Sequence, residues 1–148
     1  MHGVRRGLPG ILALVCLLVA AFAPVRAAAE IGVRDVRFGQ HSGYTRFVLE
    51  VDGVVRPDLF TLAPEAGDPY RVVLDLPSLD WKGEAEGTRK GMGLVSRMRH
   101  GRLDATRSRV VLDLPKPAAV KTMMVLPPNG TYGARIVVDL VPTDRTSF

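Results

Sequence analysis

Cysteine and histidine are scarce in this sequence of 148 residues, which has one cysteine and three histidines. Cys16 lies in the amino-terminal apolar segment, so the rest of the chain has no thiol for a disulfide, a metal bond or nucleophilic catalysis. Beyond that segment only His41 and His100 remain, and they show no H-E-x-x-H spacing. Because catalytic zinc needs three protein ligands and an open position, we expect no catalytic metal centre and no cofactor in this chain.

The sequence also lacks an apolar run as long as the about 20 residues that a membrane span requires. Its apolar run from Ile11 to Ala23 follows a basic pair, Arg5 and Arg6, and precedes a small-residue site at Val25–Ala27. This order is typical of a secretory signal peptide, so residues 1–27 are predicted to be removed on export to the periplasm, leaving no membrane span. No polar residue precedes the arginine pair, which favours the Sec route over the twin-arginine route.

Little net charge remains after the predicted cleavage. Of the 20 basic residues three lie in residues 1–27, leaving 17 against 15 acidic residues, or +2. The densest basic cluster lies within residues 97–109, where His100 is interpreted, like His41, as a surface residue in a turn. Export and the small charge argue against a nucleic-acid partner and favour an anionic polymer of the cell envelope.

One pattern, an arginine followed by three apolar residues, a carboxylate and a further apolar residue, occurs four times. Equivalent positions pair at nearly constant offsets: 62 residues from Arg37 to Arg99, and 63 from Arg46 to Arg109. We therefore predict two duplicated halves, residues 31–77 and 94–142, joined by a polar connector, residues 78–93. The four copies are Arg46–Val51, Arg71–Leu76, Arg109–Leu114 and Arg135–Leu140.

Within each copy apolar residues alternate with a period of two, and prolines or glycines bound most copies, as is typical of strands. The sequence therefore predicts an all-β domain of two symmetric four-stranded antiparallel sheets packed as a sandwich, with no helix. The eight predicted strands are Ile31–Phe38, Arg46–Val51, Asp58–Ala63, Arg71–Leu76, Leu94–Arg99, Arg109–Leu114, Lys121–Leu126 and Arg135–Leu140.

The order of short motifs along the chain resembles the AMIN domain, the amino-terminal module of periplasmic N-acetylmuramoyl-L-alanine amidases, which also occurs in type IV pilus secretins. The resemblance covers nearly all of residues 28–142 and implies two symmetric four-stranded sheets and localisation to peptidoglycan, often at the division septum. The motifs are Val36–Gly39, Thr45–Leu49, Phe60–Ala63, Pro69–Pro77, Trp81, Met98–Gly101 and Ser108–Pro115.

The resemblance implies a non-catalytic, peptidoglycan-binding domain that delivers an amidase to the wall for daughter-cell separation. In such enzymes zinc belongs to a catalytic domain that follows the AMIN domain, and residues 143–148 suit the start of a linker to one or a simple tail. The alternative is a protein-interaction module of an envelope assembly such as a pilus secretin. Septal or other envelope proteins are then expected partners.

The arginine and the carboxylate of each copy lie on one face of a strand, which leaves two interpretations open. They pair across strands as solvent-facing charges, or the arginines grip carboxylates of peptidoglycan while the acids orient them or bind amino groups. Tyr70 and Trp81 are aromatic candidates for a sugar face, alongside Tyr44 and Tyr132; Trp81 either covers the core or makes an exposed contact. The charged candidates are Arg46, Arg71, Arg109, Arg135, Glu50, Asp75, Asp113 and Asp139.

Overall fold

A computed structural model describes residues 29–148, together with Gly3 as an isolated position. The predicted signal peptide and Cys16 lie outside the described residues. The described part of the chain is built from strands and turns, and none of it forms a helix long and apolar enough to cross a membrane. The ten strands are β1 (Ile31–His41), β2 (Tyr44–Val51), β3 (Asp58–Leu62), β4 (Tyr70–Pro77), β5 (Leu79–Asp80), β6 (Glu86–Lys90), β7 (Arg97–Arg102), β8 (Arg107–Leu114), β9 (Ala118–Leu126) and β10 (Ala134–Pro142).

The strands form two five-stranded sheets. Sheet I has the order β5-β1-β2-β10-β9, and sheet II has the order β3-β4-β8-β7-β6. All neighbours are antiparallel except β1 and β5, which pair in parallel over two residues. The predicted all-β class with two packed sheets is confirmed.

The two sheets repeat one arrangement, because each half of the sequence contributes two strands to each sheet. Strands β1-β2-β10-β9 of sheet I correspond in order to β7-β8-β4-β3 of sheet II. The halves are thus intertwined, and neither half forms a sheet by itself. Since the central pairs β2–β10 and β4–β8 each join the two halves, the sandwich requires both of them.

The core fills the space between the sheets with the inward-facing residues of each repeat copy. Phe47, Leu49, Leu74, Leu112 and Ile136 are all fully buried. Fully burying one such side chain contributes about 1.5–3 kcal/mol relative to leaving it exposed. The period of two seen in the sequence is therefore the period of the core, and the alternate residues of the same strands form the two outer faces.

The predicted number of four strands per sheet is wrong, because the connector supplies a fifth strand to each. Its strand β5 pairs with the start of β1, and β6 runs along β7 over five residue pairs. The connector also buries Leu79 and Trp81 in the core. Its polar composition concealed these strands, since β6 has the sequence E-G-T-R-K and is mostly exposed.

One predicted strand is displaced along the chain. The strand expected at Leu94–Arg99 begins instead at Arg97 and extends to Arg102. The shift places His100 inside a strand, on the same side as the buried Met98, so the prediction of a surface histidine in a turn is wrong for His100. His41 is exposed, as expected, but it is the last residue of β1 and does not lie in a turn.

Candidate functional site on the outer sheet faces

The outer face of each sheet carries the charged candidates in three rows that run across the strands. In sheet II, across β4, β8, β7 and β6, the rows are Asp75–Arg109–Gly101–Glu86, Val73–Val111–Arg99–Thr88 and Arg71–Asp113–Arg97–Lys90. In sheet I, across β10, β2 and β1, they are Asp139–Arg46–Gly39, Val137–Val48–Arg37 and Arg135–Glu50–Asp35. On both faces the middle row contains two valines and one arginine, and it separates the other two rows.

The first row of each face holds an arginine and an aspartate in side-on contact. Arg46 donates from Nε and Nη2 to the two carboxylate oxygens of Asp139, at 2.7 and 2.8 Å. Arg109 makes the equivalent bonds to Asp75, also at 2.7 and 2.8 Å. These hydrogen bonds hold the pKa of both aspartates below the ordinary value. At these two positions the repeat arginine pairs across strands, as the first interpretation of the pattern requires.

The third row differs between the faces. In sheet II the carboxylate of Asp113 is 1% exposed and accepts hydrogen bonds from both Arg97 and Arg99. In sheet I the carboxylate of Glu50 accepts one bond from Arg37 and one from the backbone N–H of Gly133. Burial raises the pKa of both acids, but these hydrogen bonds outweigh burial, and the net pKa of each lies below its ordinary value.

Arg71 and Arg135, the other two repeat arginines, have no carboxylate in side-on contact. The Nε atom of each is buried and has no hydrogen-bond partner among the described residues. Arg71 reaches Asp68 through Nη1 at 3.2 Å, and the guanidinium of Arg135 lies 5.0 Å from the centre of the Tyr132 ring. Two of the four repeat arginines, Arg46 and Arg109, are therefore held side-on by an aspartate, and the other two are not held in this way by any described residue.

A groove of about 550 Å³ lies over the first two rows of sheet II. Its floor is Gly101, which lies between Arg109 of β8 and Glu86 of β6, and Arg99 and Thr88 line it in the next row. A Cβ atom at Gly101 would be in ordinary van der Waals contact with the Glu86 Cβ, at 3.7 Å, and would meet no closer atom. The groove therefore exists because a glycine, with no side chain, faces outward between Arg109 and Glu86.

Sheet I has the same glycine and the same two arginine positions, but its space is occupied. The Nε2 atom of His41 lies 3.1 Å from where a Cβ of Gly39 would be. The His41 ring is held there by stacking on Tyr44, with ring centres 4.5 Å apart. In sheet II the residue equivalent to His41 is Leu103, which lines the groove instead of filling it.

The aromatic candidates do not lie on the groove floor. Tyr70 is half-buried and packs edge-on against Phe148, with ring centres 4.8 Å apart. Trp81 is 4% exposed and stacks on His100 at 3.7 Å, which is the core-covering interpretation of this residue. Both ring nitrogens of His100 and the Trp81 Nε1 are buried without a hydrogen-bond partner among the described residues.

The site residues predicted from the sequence omitted four participants on the faces, Arg37, Arg97, Arg99 and Gly101, although Arg97 and Arg99 belong to the basic cluster within residues 97–109. The constant offset between halves had marked Arg37 with Arg99 and Gly39 with Gly101 as equivalent, but only as markers of the repeat. Their role depends on β1 and β7 lying beside β2 and β8, which the offset alone does not specify. Within residues 29–148 no group of three or more histidine, cysteine, aspartate or glutamate side chains is arranged to hold a metal ion.

The chain is similar to the N-acetylmuramoyl-L-alanine amidase AmiC of Neisseria meningitidis serogroup B, with 30% identity over 132 residues. The match covers 82% of this chain and 30% of the amidase, so the chain spans about a third of the length of that curated relative. No protein-family model matches the chain. The similarity thus links most of this chain to a part of an N-acetylmuramoyl-L-alanine amidase.

Proposed function

We propose that this protein is a non-catalytic, periplasmic domain of the AMIN type that binds peptidoglycan through its outer sheet faces. The observation that carries the proposal is the repeated outer face, on which an arginine held by an aspartate lies beside a pair of valines in both sheets. The distant similarity to an N-acetylmuramoyl-L-alanine amidase supports peptidoglycan as the polymer concerned.

The chemistry of the faces suits the stem peptides of peptidoglycan, which present carboxylates and amino groups. An arginine already held by an aspartate keeps its third nitrogen as a fixed donor, so a bound carboxylate does not have to order a flexible side chain. The Nε atoms of Arg71 and Arg135 are buried, so these two arginines would meet a ligand through their terminal nitrogens. The carboxylates of Asp75, Asp113, Asp139 and Glu50 then serve to orient arginines.

Weak binding is sufficient for such a domain. When a binding module is joined to an enzyme, it raises the concentration of that enzyme near its substrate without any new catalytic contact. A wall-binding sandwich would in this way deliver an amidase domain, carrying its own zinc, to the septum.

A second candidate function is a protein-interaction module, and a different surface favours it. Strand β9 is an edge of sheet I, and Met123 and Met124 on it are 40% and 37% exposed. Next to it lies an apolar groove of about 470 Å³, which Val54 and Pro127 help to line. Unpaired strand edges beside apolar pockets accept an added strand from a partner.

Cosedimentation with purified peptidoglycan sacculi tests the first function. The protein, exported with its own leader and purified from the periplasm, is expected to pellet with sacculi at low salt and less at moderate salt. A variant with Arg71→Gln and Arg135→Gln is expected to pellet less at low salt, because both changes remove positive charge from the outer faces.

The matched control removes two positive charges elsewhere, through Arg56→Gln and Arg145→Gln, both exposed positions away from the outer faces. Equal losses in both variants would mean that net charge, rather than the faces, drives pelleting. A folded wild type that stays in the supernatant would reject wall binding and favour the β9 surface, to be tested with Met123→Lys in a search for an envelope partner.

A further inference from the structure

The two outer faces are related by the internal repeat, but only sheet II has an open groove. We propose that this groove is the single ligand site of the protein and that it takes the free carboxylate of a peptide that also carries an amino group. This inference rests on the function proposed above, because it takes peptidoglycan stem peptides as the source of the ligand.

The carboxylate is held by two arginines that adjoin the floor of the groove. Arg99 donates hydrogen bonds from Nε and Nη2 to Asp113, and Arg109 donates from the same two atoms to Asp75. Neither Nη1 donates to any residue in the part of the chain that the structure describes. A carboxylate over Gly101 accepts one charge-assisted hydrogen bond from each arginine, and both donors are already fixed by their aspartates.

The space for this group exists on one face only. Sheet I offers an equivalent arginine pair, Arg37 and Arg46, beside Gly39. There the ring of His41 occupies the space over the glycine, and its Nε2 would lie 3.1 Å from a Cβ at Gly39. A Cβ at Gly101 would meet no atom closer than the Glu86 Cβ, at 3.7 Å. The repeat therefore provides two potential sites, and one side chain closes one of them.

The opposite wall of the groove selects for the amino group. It is formed by β6, which runs along β7 as far as Gly101 and carries Glu86 and Thr88. The equivalent edge strand of sheet I, β5, pairs only with Ile31 and Gly32 and does not reach Gly39. An exposed carboxylate facing two arginines repels a polyanion but attracts an ammonium group on the ligand. A peptide with both charges fits this arrangement better than an anionic polymer that carries only phosphates or carboxylates.

Nuclear magnetic resonance of the exported, isotope-labelled protein tests the assignment directly. A soluble stem peptide with free carboxylates is titrated in, followed by the same peptide with its carboxylates amidated. Backbone amide shifts are expected on β6 and β7, at Thr88, Arg99 and Gly101, saturating at one peptide per chain. Because the charge-assisted bonds are lost, the amidated peptide is expected to bind at least about tenfold more weakly.

Shifts of similar size at Gly39 and Arg46, or equal affinity for the amidated peptide, would overturn the proposal. An inorganic polyphosphate that binds as tightly as the free peptide would also overturn it, since Glu86 would then not discriminate against a polyanion. The titration uses the wild type, so its outcome does not depend on any variant folding.

A pair of variants separates this inference from the function on which it rests. Gly101→Val fills the groove, and Gly39→Val alters the equivalent position on the other face. Gly101→Val is expected to reduce both peptide binding and pelleting with sacculi at least about tenfold, while Gly39→Val retains both. If the wild type pellets and folded Gly101→Val pellets equally, the single site is rejected and wall binding stands; if the wild type does not pellet, both fail.

Discussion

The outer faces of sheets I and II start from the same repeat and end with different surfaces. Their first rows are equivalent down to the two hydrogen bonds of Arg46 with Asp139 and of Arg109 with Asp75. The faces diverge at the outer strands, where sheet I has Asp35 on β1 and sheet II has Arg97 on β7 with β6 alongside. The repeat thus fixes the centre of each sheet, while the edges determine what each face can bind.

The divergence also changes how buried charge is compensated. Asp113 has two arginines as partners and is nearly inaccessible, whereas Glu50 shares Arg37 with Asp35. A buried acid with several charged donors is expensive to disturb, because removing its charge leaves the donors unpaired. The face that carries the groove is therefore also the more tightly cross-linked of the two.

The largest expected effect comes from replacing Gly87, a residue of β6 that faces His100, with alanine. Its Cβ in Gly87→Ala would lie 2.4 Å from Nε2 of His100, which is fixed between β6 and Trp81. We expect a loss of about 2 kcal/mol in the free energy of unfolding, measured with urea, because overpacking a rigid site is costly. The control Gly101→Ala has room and is expected to stay within about 0.5 kcal/mol of wild type. Equal stabilities would show that β6 does not hold His100 in place.

The next effect concerns the two third-row acids. Asp113→Asn is expected to cost about 2 kcal/mol of unfolding free energy, because two arginines lose a buried carboxylate. Glu50→Gln is expected to cost about 1 kcal/mol, since its amide oxygen still accepts the bond from Gly133. Asp35→Asn, on an exposed side chain, serves as the control. A larger cost for Glu50→Gln would reverse the assignment of sheet II as the more strongly cross-linked face.

A smaller effect is a pH dependence that belongs to the sheet II edge. Burial, aided by Arg89 and opposed by Glu84, lowers the pKa of His100 below its ordinary 6.5; Glu86 also lies on the adjacent strand. A base with a lowered folded-state pKa contributes stability above its unfolded-state pKa and loses it on acidification, so unfolding free energy should fall as pH drops below about 6.5.

The unfolding free energy should change with pH by at most about 1.4 kcal/mol per pH unit through His100. Urea unfolding at a series of pH values, followed by Trp81 fluorescence, measures this slope. The variant His100→Leu should abolish the part of the slope between about pH 6.5 and 5, where carboxylates contribute little. Four acids with lowered pKa values also lose stability on acidification, but at lower pH than His100 does, because carboxylates take up protons only in stronger acid. These acids are Glu50, Asp75, Asp113 and Asp139. A slope unchanged by His100→Leu would remove His100 as its source.

The smallest expected effect tests what the two faces share. Arg46→Lys and Arg109→Lys each replace a side-on guanidinium with a point charge, and each is expected to cost about 0.5–1 kcal/mol in unfolding free energy. The two costs should be equal within error, since distances and partners are equivalent. Double-mutant cycles with Asp139→Asn and Asp75→Asn measure the coupling energies, and a clear inequality would contradict the symmetry of the first rows.

Much of the fold was predictable from the repeat. The period of two in segments such as Arg71–Leu76 identified the inward residues Val72, Leu74 and Leu76 correctly, because apolar burial on one side of a strand leaves its pattern in the sequence. The connector strand β6 was not predictable in this way. An exposed edge strand with the sequence E-G-T-R-K buries little, so it has no apolar alternation to detect.

The candidate site was predictable in its residue types but not in its partners. The arginines and carboxylates of the repeat do share the outer faces, as their spacing indicated. Which carboxylate each arginine contacts depends on strand order, and Arg46 lies 93 residues from Asp139 in the sequence. Likewise, Trp81 lies in a polar segment, and its burial against His100 depends on the path of the connector.

The sequence by itself thus determined the strand period, the inward-facing core of each repeat copy and the near-symmetry of the two halves, because these depend on local patterns and on their repetition. Only the tertiary structure decided that the halves intertwine and that β6 forms one side of the groove on sheet II. It also decided that His41 fills the space beside Gly39, while the groove over Gly101 stays open. The physical reason is that these features depend on contacts between residues far apart in the chain, at sheet edges where burial, and with it the sequence signal, is weakest.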